Sequence, residues 1–227
     1  MTNLDGAVFL VAGASGGLGS LIAEQLAAAG AVVVRAARNP ATLAGPDAFL
    51  ADLNDPGAAA GLVAAAFAAH GRLDGLVIAA GRVAFGPIAD VTDQTLTELF
   101  EINTLAPIRL IREALPHLAA SAAEKREPVI VTISGIVAES PTAGLAAYSA
   151  SKAGLAGFVT AANRELRRAG VRVMDARPGH TETALSEHPI AGAAPAFPAG
   201  LAPAAVAARI VRGIVEGEKD LPSASFS

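Results

Sequence analysis

The chain has 227 residues and a formal charge of −4, and 52% of its residues are hydrophobic while 17% are charged. This composition indicates a folded globular protein and excludes a disordered tail or a basic nucleic-acid-binding surface, so no nucleic-acid partner is expected. With no cysteine and with four histidines that lack zinc-ligand spacing, neither a disulfide nor a metal site is expected.

Short apolar runs alternate with longer segments of helical spacing along the whole chain. The first run, residues 7–12, is too short to span a bilayer and follows Asp5, so no membrane or targeting segment is expected and a cytoplasmic location is favoured. The predicted strands are Ala7–Ala12, Ala31–Val34, Ala48–Leu50, Leu76–Ala80, Val129–Ile133 and Val171–Ala176. The predicted helices are Leu18–Ala29, Ala58–Ala69, Leu96–Leu118, Ala147–Ala169 and Pro203–Glu216, with Gly30, Gly71 and Gly170 at helix ends.

The alternation of strand and helix predicts an α/β protein with a doubly wound parallel sheet and helices on both faces, a Rossmann-like architecture. Neither an interdomain linker nor an internal repeat is visible, so residues 1–227 are predicted to form a single dinucleotide-binding domain. The segment 184–203 is rich in Ala, Gly and Pro and has little periodicity. It is expected to be a loop that covers a substrate.

The first strand leads into a glycine-rich turn, Gly13-Ala14-Ser15-Gly16-Gly17-Leu18-Gly19, and a helix follows at once. Such a turn lets backbone N–H groups and the positive end of the helix face a pyrophosphate, although a tight βα turn without a ligand would also fit. Residues 13–17 also match the nucleophile elbow of α/β-hydrolases, but the upstream strands that supply its oxyanion hole are missing. A phosphate-binding P-loop would need a lysine after the last glycine, where Ser20 stands.

The end of the second predicted strand carries no carboxylate that could bind the 2′-hydroxyl of an NAD ribose. Arg38 stands there instead, and its guanidinium can form a charge-assisted fork with the 2′-phosphate of NADP. NADP(H) is therefore predicted in preference to NAD(H). The alternative is that Arg38 is an ordinary surface arginine.

The single tyrosine, Tyr148, lies four residues before Lys152 at the start of a long predicted helix, so the two side chains share a face. A phenol that exchanges a proton near neutrality needs its pKa lowered by roughly 3, or about 4 kcal/mol. An ammonium about 5 Å away at an effective dielectric of about 20 supplies roughly 3 kcal/mol. The alternative is a core tyrosine beside a solvated lysine. The S-x-x-K motif of penicillin-binding enzymes overlaps this stretch, but its companion motifs are missing.

In the residues described above and at several further positions, the chain resembles the short-chain dehydrogenases/reductases, in the branch of about 250 residues. The resemblance covers residues 7–183. It is carried by the turn Gly13–Gly19, Asp52-Leu53, Gly81, Phe85-Gly86-Pro87, Asn103, the pair Tyr148 and Lys152, and Pro178-Gly179-His180-Thr181-Glu182-Thr183.

The resemblance implies that Tyr148 is the general acid/base, that Lys152 lowers its pKa and binds the nicotinamide ribose, and that Asn103 anchors a proton relay. It implies that Ser134 binds the substrate oxygen. The cofactor contacts that it implies are Gly13, Ser15, Gly16, Gly17, Leu18, Gly19, Arg38, Asp52, Leu53, Ala80, Gly81, Tyr148, Lys152, Pro178, Gly179, Thr181 and Thr183. Thr183 would contact the nicotinamide carboxamide.

The serine departs from the family pattern, since in relatives it commonly lies thirteen residues before the tyrosine, where this chain has Gly135. Ser134 lies fourteen residues before it. One extra residue in the loop between Ile136 and Gly144 is expected to restore the geometry, although a missing serine is the alternative.

The predicted reaction is the interconversion of a carbonyl group and a secondary alcohol. Leu185, Ile190 and Phe197 in the covering loop suggest a small neutral or hydrophobic substrate. The resemblance also implies a homodimer or homotetramer. The alternative function is a catalytically silent dinucleotide-binding sensor or scaffold with the same fold.

Overall fold

The computed structural model describes residues 2–39, 43 and 47–226, and a seven-stranded sheet runs through them. Its strands are β1 (Val8–Ala12), β2 (Val32–Ala37), β3 (Ala48–Leu50), β4 (Gly75–Ile78), β5 (Val129–Ile133), β6 (Arg172–Ala176) and β7 (Asp220–Leu221). Its helices are α1 (Gly17–Ala28), α2 (Ala58–His70), α3 (Asp93–Phe100), α4 (Ala106–Ala123), α5 (Ala146–Leu166) and α6 (Pro203–Glu216).

The strand order is β3-β2-β1-β4-β5-β6-β7, and every neighbouring pair is parallel. The chain runs outward from β1 to β3 and then crosses to β4 on the other side of β1. Because the winding direction changes between β1 and β4, a crevice opens at the carboxyl ends of these two strands. The predicted doubly wound parallel sheet is confirmed.

Both faces of the sheet are covered by helices, and side chains that alternate along the strands fill two cores. Leu10 of β1 and Ile130 of β5 point to the face covered by α2, α4 and α5. Phe9 and Val131 point to the opposite face, which α1 and α6 cover. Burial on both sides explains why these strands are continuous apolar runs.

The boundaries of the helices and strands differ from the predicted ones where local hydrogen bonding determines where an element begins or ends. The predicted helix Leu96–Leu118 is part of a longer helical stretch, α3 and α4, that is interrupted by a π-helical turn at Glu101–Leu105. Pro107 has no N–H to donate to the carbonyl of Asn103 four residues earlier, which favours the wider turn. At the carboxyl end, β7 is reduced to two residues.

In the described part of the chain, no helix is both long and apolar enough to cross a membrane. The same residues contain no group of three or more histidine or acidic side chains that could hold a metal ion.

Candidate active site

A cavity of about 640 Å³ opens where the carboxyl ends of β1, β2, β4, β5 and β6 meet. Of the predicted site residues, it is lined by Gly13, Ser15, Gly16, Gly17, Leu18, Arg38, Asp52, Leu53, Ala80, Gly81, Ser134, Tyr148, Lys152, Pro178, Gly179, Thr181 and Thr183. Gly19 and Asn103 lie outside this lining. Residues separated by up to 170 positions in the chain therefore share one cavity.

The glycine turn brings the start of α1 up to the cavity. Gly13 has φ +88°, and a Cβ there would lie 2.5 Å from the backbone nitrogen of Ala80, so glycine is required. Gly16 is the N-cap of α1 and provides no side-chain cap. The N–H groups of the first turn therefore receive no hydrogen bond from an N-cap side chain, and such groups can bind an anion.

Gly19 has a packing role that differs from the predicted cofactor contact. It is buried, and a Cβ there would lie 2.1 Å from the carbonyl oxygen of Gly13. Its lack of a side chain lets the helix approach the preceding strand closely, and a contact of its backbone with a cofactor stays a prediction.

The far end of the cavity carries Arg38 directly after β2 and Asp52 after β3. Both side chains are exposed. The Asp52 carboxylate accepts hydrogen bonds from the backbone (3.1 Å) and side-chain (2.7 Å) nitrogens of Asn54. Among the described residues that line the cavity, Asp52 is the only one with a carboxylate side chain.

Tyr148 is the third residue of α5 and packs against an apolar cluster of Val83, Phe85, Val137 and Leu145. Burial raises the pKa of Tyr148 to about 12 in the cofactor-free protein. The sequence predicted a lowered pKa from the charge of the neighbouring lysine, but desolvation by the cluster dominates here. At neutral pH the phenol is therefore protonated.

Lys152 follows one turn later on α5 and is only 6% exposed. Its Nζ donates a hydrogen bond of 2.8 Å to the carbonyl oxygen of Ile133. Burial lowers the pKa of Lys152 from 10.5 to about 8, although the nearby Asp175 acts in the opposite direction. A Cβ at Gly81 would lie 3.3 Å from Nζ, so Gly81 makes room for the ammonium.

Asn103 lies in the π-helical turn behind the cavity and is 1% exposed. Its Nδ2 donates to the carbonyl of Arg82 (2.9 Å) and to Oγ of Ser151 (3.0 Å), and its Oδ1 accepts from the Arg82 N–H (3.0 Å). Asn103 thus ties the loop after β4 to α5 beside Lys152. Its role in a proton relay stays a prediction.

Ser134 lines the cavity, but its hydroxyl is bonded to another side chain, and its contact with a substrate stays a prediction. The Ser134 side chain is fully buried, and Oγ donates a 2.5 Å hydrogen bond to Oδ2 of Asp175. Gly135, in the position where relatives commonly have serine, has φ +76° and ψ 165°, a combination that is essentially confined to glycine.

The covering loop lies against the cavity and closes at its base, where Thr181 pairs with Leu201 as an isolated β-bridge. The ring of Phe197 stacks on His180 with centroids 4.4 Å apart and lies 6.0 Å from the ring of Phe85. Backbone hydrogen bonds tie the loop to the segment after β4, from Ile190 to the Val83 carbonyl and from Phe85 to the Ala191 carbonyl, each 2.9 Å.

Sequence reasoning missed several residues that shape the site, namely Arg82, Val137, Leu145 and Asp175. Val137 and Leu145 carry no chemical signal, because apolar residues between a strand and a helix are common. Asp175 did carry one, since it is a carboxylate among the apolar residues Val173, Met174 and Ala176 of β6 and is 3% exposed.

Comparisons with known proteins agree with this geometry. The sequence model of the short chain dehydrogenase family matches residues 7–191. The 3-oxoacyl-[acyl-carrier-protein] reductase FabG of Escherichia coli is 32% identical over 87% of this chain and 84% of its own length. The FabG protein of Vibrio cholerae is 30% identical over 82% of this chain and 78% of its own length.

Among solved structures, a short-chain dehydrogenase from Streptomyces avermitilis superposes with a TM-score of 0.84 at 30% identity. That similarity covers 96% of this chain and 88% of the other.

Proposed function

The chain belongs to the short-chain dehydrogenase family of NAD(P)-dependent oxidoreductases, and on that basis we propose that it interconverts a carbonyl group and a secondary alcohol with NADP(H). One observation supports this proposal above the others. Tyr148 and Lys152 line the same cavity as the uncapped glycine turn, at the point where the winding of the sheet changes direction. The proposed proton donor and the glycine turn that is proposed to bind the pyrophosphate thus line one cavity.

Tyr148 is the proposed proton donor in the reduction. When NADPH is bound, it supplies the hydride that adds to the carbonyl carbon. The phenol of Tyr148 gives its proton to the carbonyl oxygen, so that the C=O bond becomes a C–H and an O–H bond. A pKa near 12 keeps this proton on the phenol at neutral pH, and the Lys152 ammonium stabilises the phenolate that is left.

The preference for NADP(H) rests on the end of β2. Arg38 comes directly after this strand and is exposed at the edge of the cavity, where its guanidinium can pair with a 2′-phosphate. Asp52 lies after β3, and its carboxylate is bonded to Asn54. It is therefore proposed to meet the adenine and not the ribose 2′-position.

The proposed substrate is small and neutral or hydrophobic. Val137 and Leu145 pack with Tyr148, and Leu185 and Phe197 of the covering loop also line the cavity, so much of its wall is apolar. The relatives are named 3-oxoacyl-[acyl-carrier-protein] reductases, so 3-oxoacyl thioesters belong in any substrate panel.

A homodimer or homotetramer is also proposed. Leu96, Phe100 and Leu105, on α3 and the π-helical turn that follows it, are large apolar side chains that are 37% to 42% exposed. Such side chains are typical of a surface that another protein copy covers. Size-exclusion chromatography with light scattering gives the number of copies directly.

The proposed reaction is tested by following NADPH oxidation with a panel of aldehydes, ketones and 3-oxoacyl thioesters. At least one compound is expected to be reduced, and Tyr148→Phe is expected to lower kcat by about 10²- to 10⁴-fold. The dissociation constant for NADPH, measured by fluorescence, should change little. Binding of NADPH without turnover of any compound would instead support the silent sensor or scaffold.

A further inference from the structure

The buried carboxylate of Asp175 connects two hydroxyl groups at the end of β5. Asp175 lies on β6 directly opposite Thr132 in the parallel register. Its Oδ1 accepts a 2.7 Å hydrogen bond from Oγ1 of Thr132, and its Oδ2 accepts the 2.5 Å hydrogen bond from Oγ of Ser134. All three side chains are at most 3% exposed.

Ile133, the residue between these two hydroxyl-bearing residues, provides the carbonyl oxygen to which Lys152 donates. We propose that Asp175 is a positioning residue for Lys152, because it fixes both neighbours of the carbonyl that receives the ammonium. This inference rests on the proposed function of Tyr148 and Lys152. Ser134 then acts through Asp175 and not on a substrate.

Arg177 holds the carboxylate of Asp175 from the other side. Its Nη1 donates to Oδ2 of Asp175 at 3.0 Å, and its Nη2 donates to Oδ2 of Asp220 on β7 at 2.7 Å. Arg177 also pairs with Glu139. The Asp175 carboxylate therefore accepts three side-chain hydrogen bonds, from Thr132, Ser134 and Arg177. These bonds satisfy its buried charge and hold the carboxylate in one position.

The negative charge of Asp175 also acts on the ammonium directly. It raises the pKa of Lys152 against the larger effect of burial, and the resulting value is about 8. The other titratable or charged side chains that line the cavity with Lys152 are Arg38, Asp52, Arg82, Tyr148, His180 and His188. Glu101 in the π-helical turn, Glu139 after β5 and Arg177 after β6 lie on the neighbouring elements, while Arg164 and Glu165 lie at the far end of α5 and Arg172 at the start of β6. Glu101 pairs with Arg109, Arg82 with Glu98, and Glu139 with Arg177.

The first test measures the pKa of Lys152 without any substrate. The chain contains three lysines, so lysine labelled with ¹³C at Cε gives three NMR signals that can be titrated and assigned. Asp175→Asn keeps the shape and removes the charge, and Arg177 keeps Glu139 and Asp220 as partners. The pKa of Lys152 is expected to fall by about one pH unit.

Asp220→Asn is the matched control, because it removes another carboxylate partner of Arg177 that is farther from Lys152 in the hydrogen-bond network. The pKa of Lys152 should stay the same in this variant. An unchanged pKa in folded Asp175→Asn, or equal shifts in both variants, would overturn the proposal.

The second test separates positioning from substrate contact and applies even where Asp175→Asn does not fold. Ser134→Ala keeps the carboxylate and removes one of its donors. It is expected to lower kcat several-fold, while KM for the carbonyl substrate and the alkaline limb of the pH profile stay in place. A raised KM with unchanged kcat would show that the Ser134 hydroxyl contacts substrate, which would overturn its assignment.

In the Asp175→Asn enzyme, the alkaline limb is expected to move to lower pH together with the NMR pKa of Lys152. A loss of activity by the same factor at every pH would contradict the proposal. If the wild-type protein reduces no carbonyl compound, the proposed function fails, yet the NMR titration still decides whether Asp175 controls the charge of Lys152.

Discussion

Replacing the buried lysine of the site by methionine is expected to make the protein more stable and inactive. A fall in the pKa of Lys152 from 10.5 to about 8 on folding means that its charge destabilises the folded state by roughly 3 kcal/mol at neutral pH. Lys152→Met removes this charge but leaves the Ile133 carbonyl without its donor, which costs about 1–2 kcal/mol. The net gain in the free energy of unfolding is about 1–2 kcal/mol at pH 7.

The sign of the pH dependence follows from the lowered pKa. Below pH 8 the lysine is charged in both the folded and the unfolded chain, so the full destabilisation is present. Between about pH 8 and 10.5 the unfolded chain binds more protons than the folded chain. The free energy of unfolding of the wild-type protein therefore rises with pH in this range, because Lys152 loses its charge first in the folded state. The advantage of Lys152→Met should therefore shrink through this range.

Urea denaturation of the cofactor-free protein at pH 7 and pH 9.5 measures this difference. Lys219→Met provides the matched control, because Lys219 is exposed and its replacement should change the free energy of unfolding by less than about 0.5 kcal/mol at either pH. A Lys152→Met protein that is destabilised by the same amount at both pH values would refute the reasoning.

Three further predictions concern the cofactor and the core. Arg38→Asp should weaken NADPH binding about tenfold or more and NADH binding far less, as measured by fluorescence titration, and equal losses would contradict the 2′-phosphate contact. Gly75→Ala should lower the free energy of unfolding by about 2–3 kcal/mol, since its Cβ would lie 2.1 Å from the ring of Phe9; an unchanged urea midpoint would show that the ring can move. Ser121→Ala should cost about 1–3 kcal/mol, because Ser121 donates a 2.6 Å hydrogen bond to the buried carboxylate of Asp74; the same urea experiment checks this, and a neutral result would mean that another donor replaces it.

The fold was predictable from the sequence because the apolar runs, the helical spacing and the glycines at helix ends all indicate the same order of strands and helices. Continuous apolar runs mark strands that are buried on both faces, and Gly71 and Gly170 end their helices with φ of +67° and +72°. The π-helical turn was not predictable, because the apolar periodicity continues through it and only the missing N–H of Pro107 distinguishes it.

The location of the site was predictable where residue types and spacing together favour one chemistry, and the glycine turn and the pair Tyr148 and Lys152 do line one cavity as expected. The role of a site residue was not predictable where it depends on the direction in which the side chain points in the folded protein. Ser134 is the clearest case, since its hydroxyl could face either a substrate or β6. In the structure this hydroxyl donates to Asp175 on the neighbouring strand β6, a partner 41 residues away that the local sequence around Ser134 does not indicate.

The pairing of Thr181 with Leu201 has a consequence for how this protein can diverge. The two ends of the covering loop are joined at the sheet side, so the residues between them form a module whose length and composition can vary while the strands below stay in place. Mutations that alter which compounds enter the cavity are therefore expected to be tolerated at positions 184–199 other than Gly192, where a Cβ would lie 1.9 Å from the carbonyl oxygen of Phe85. These positions are the first choice for randomised libraries that test the proposed carbonyl reduction on new compounds.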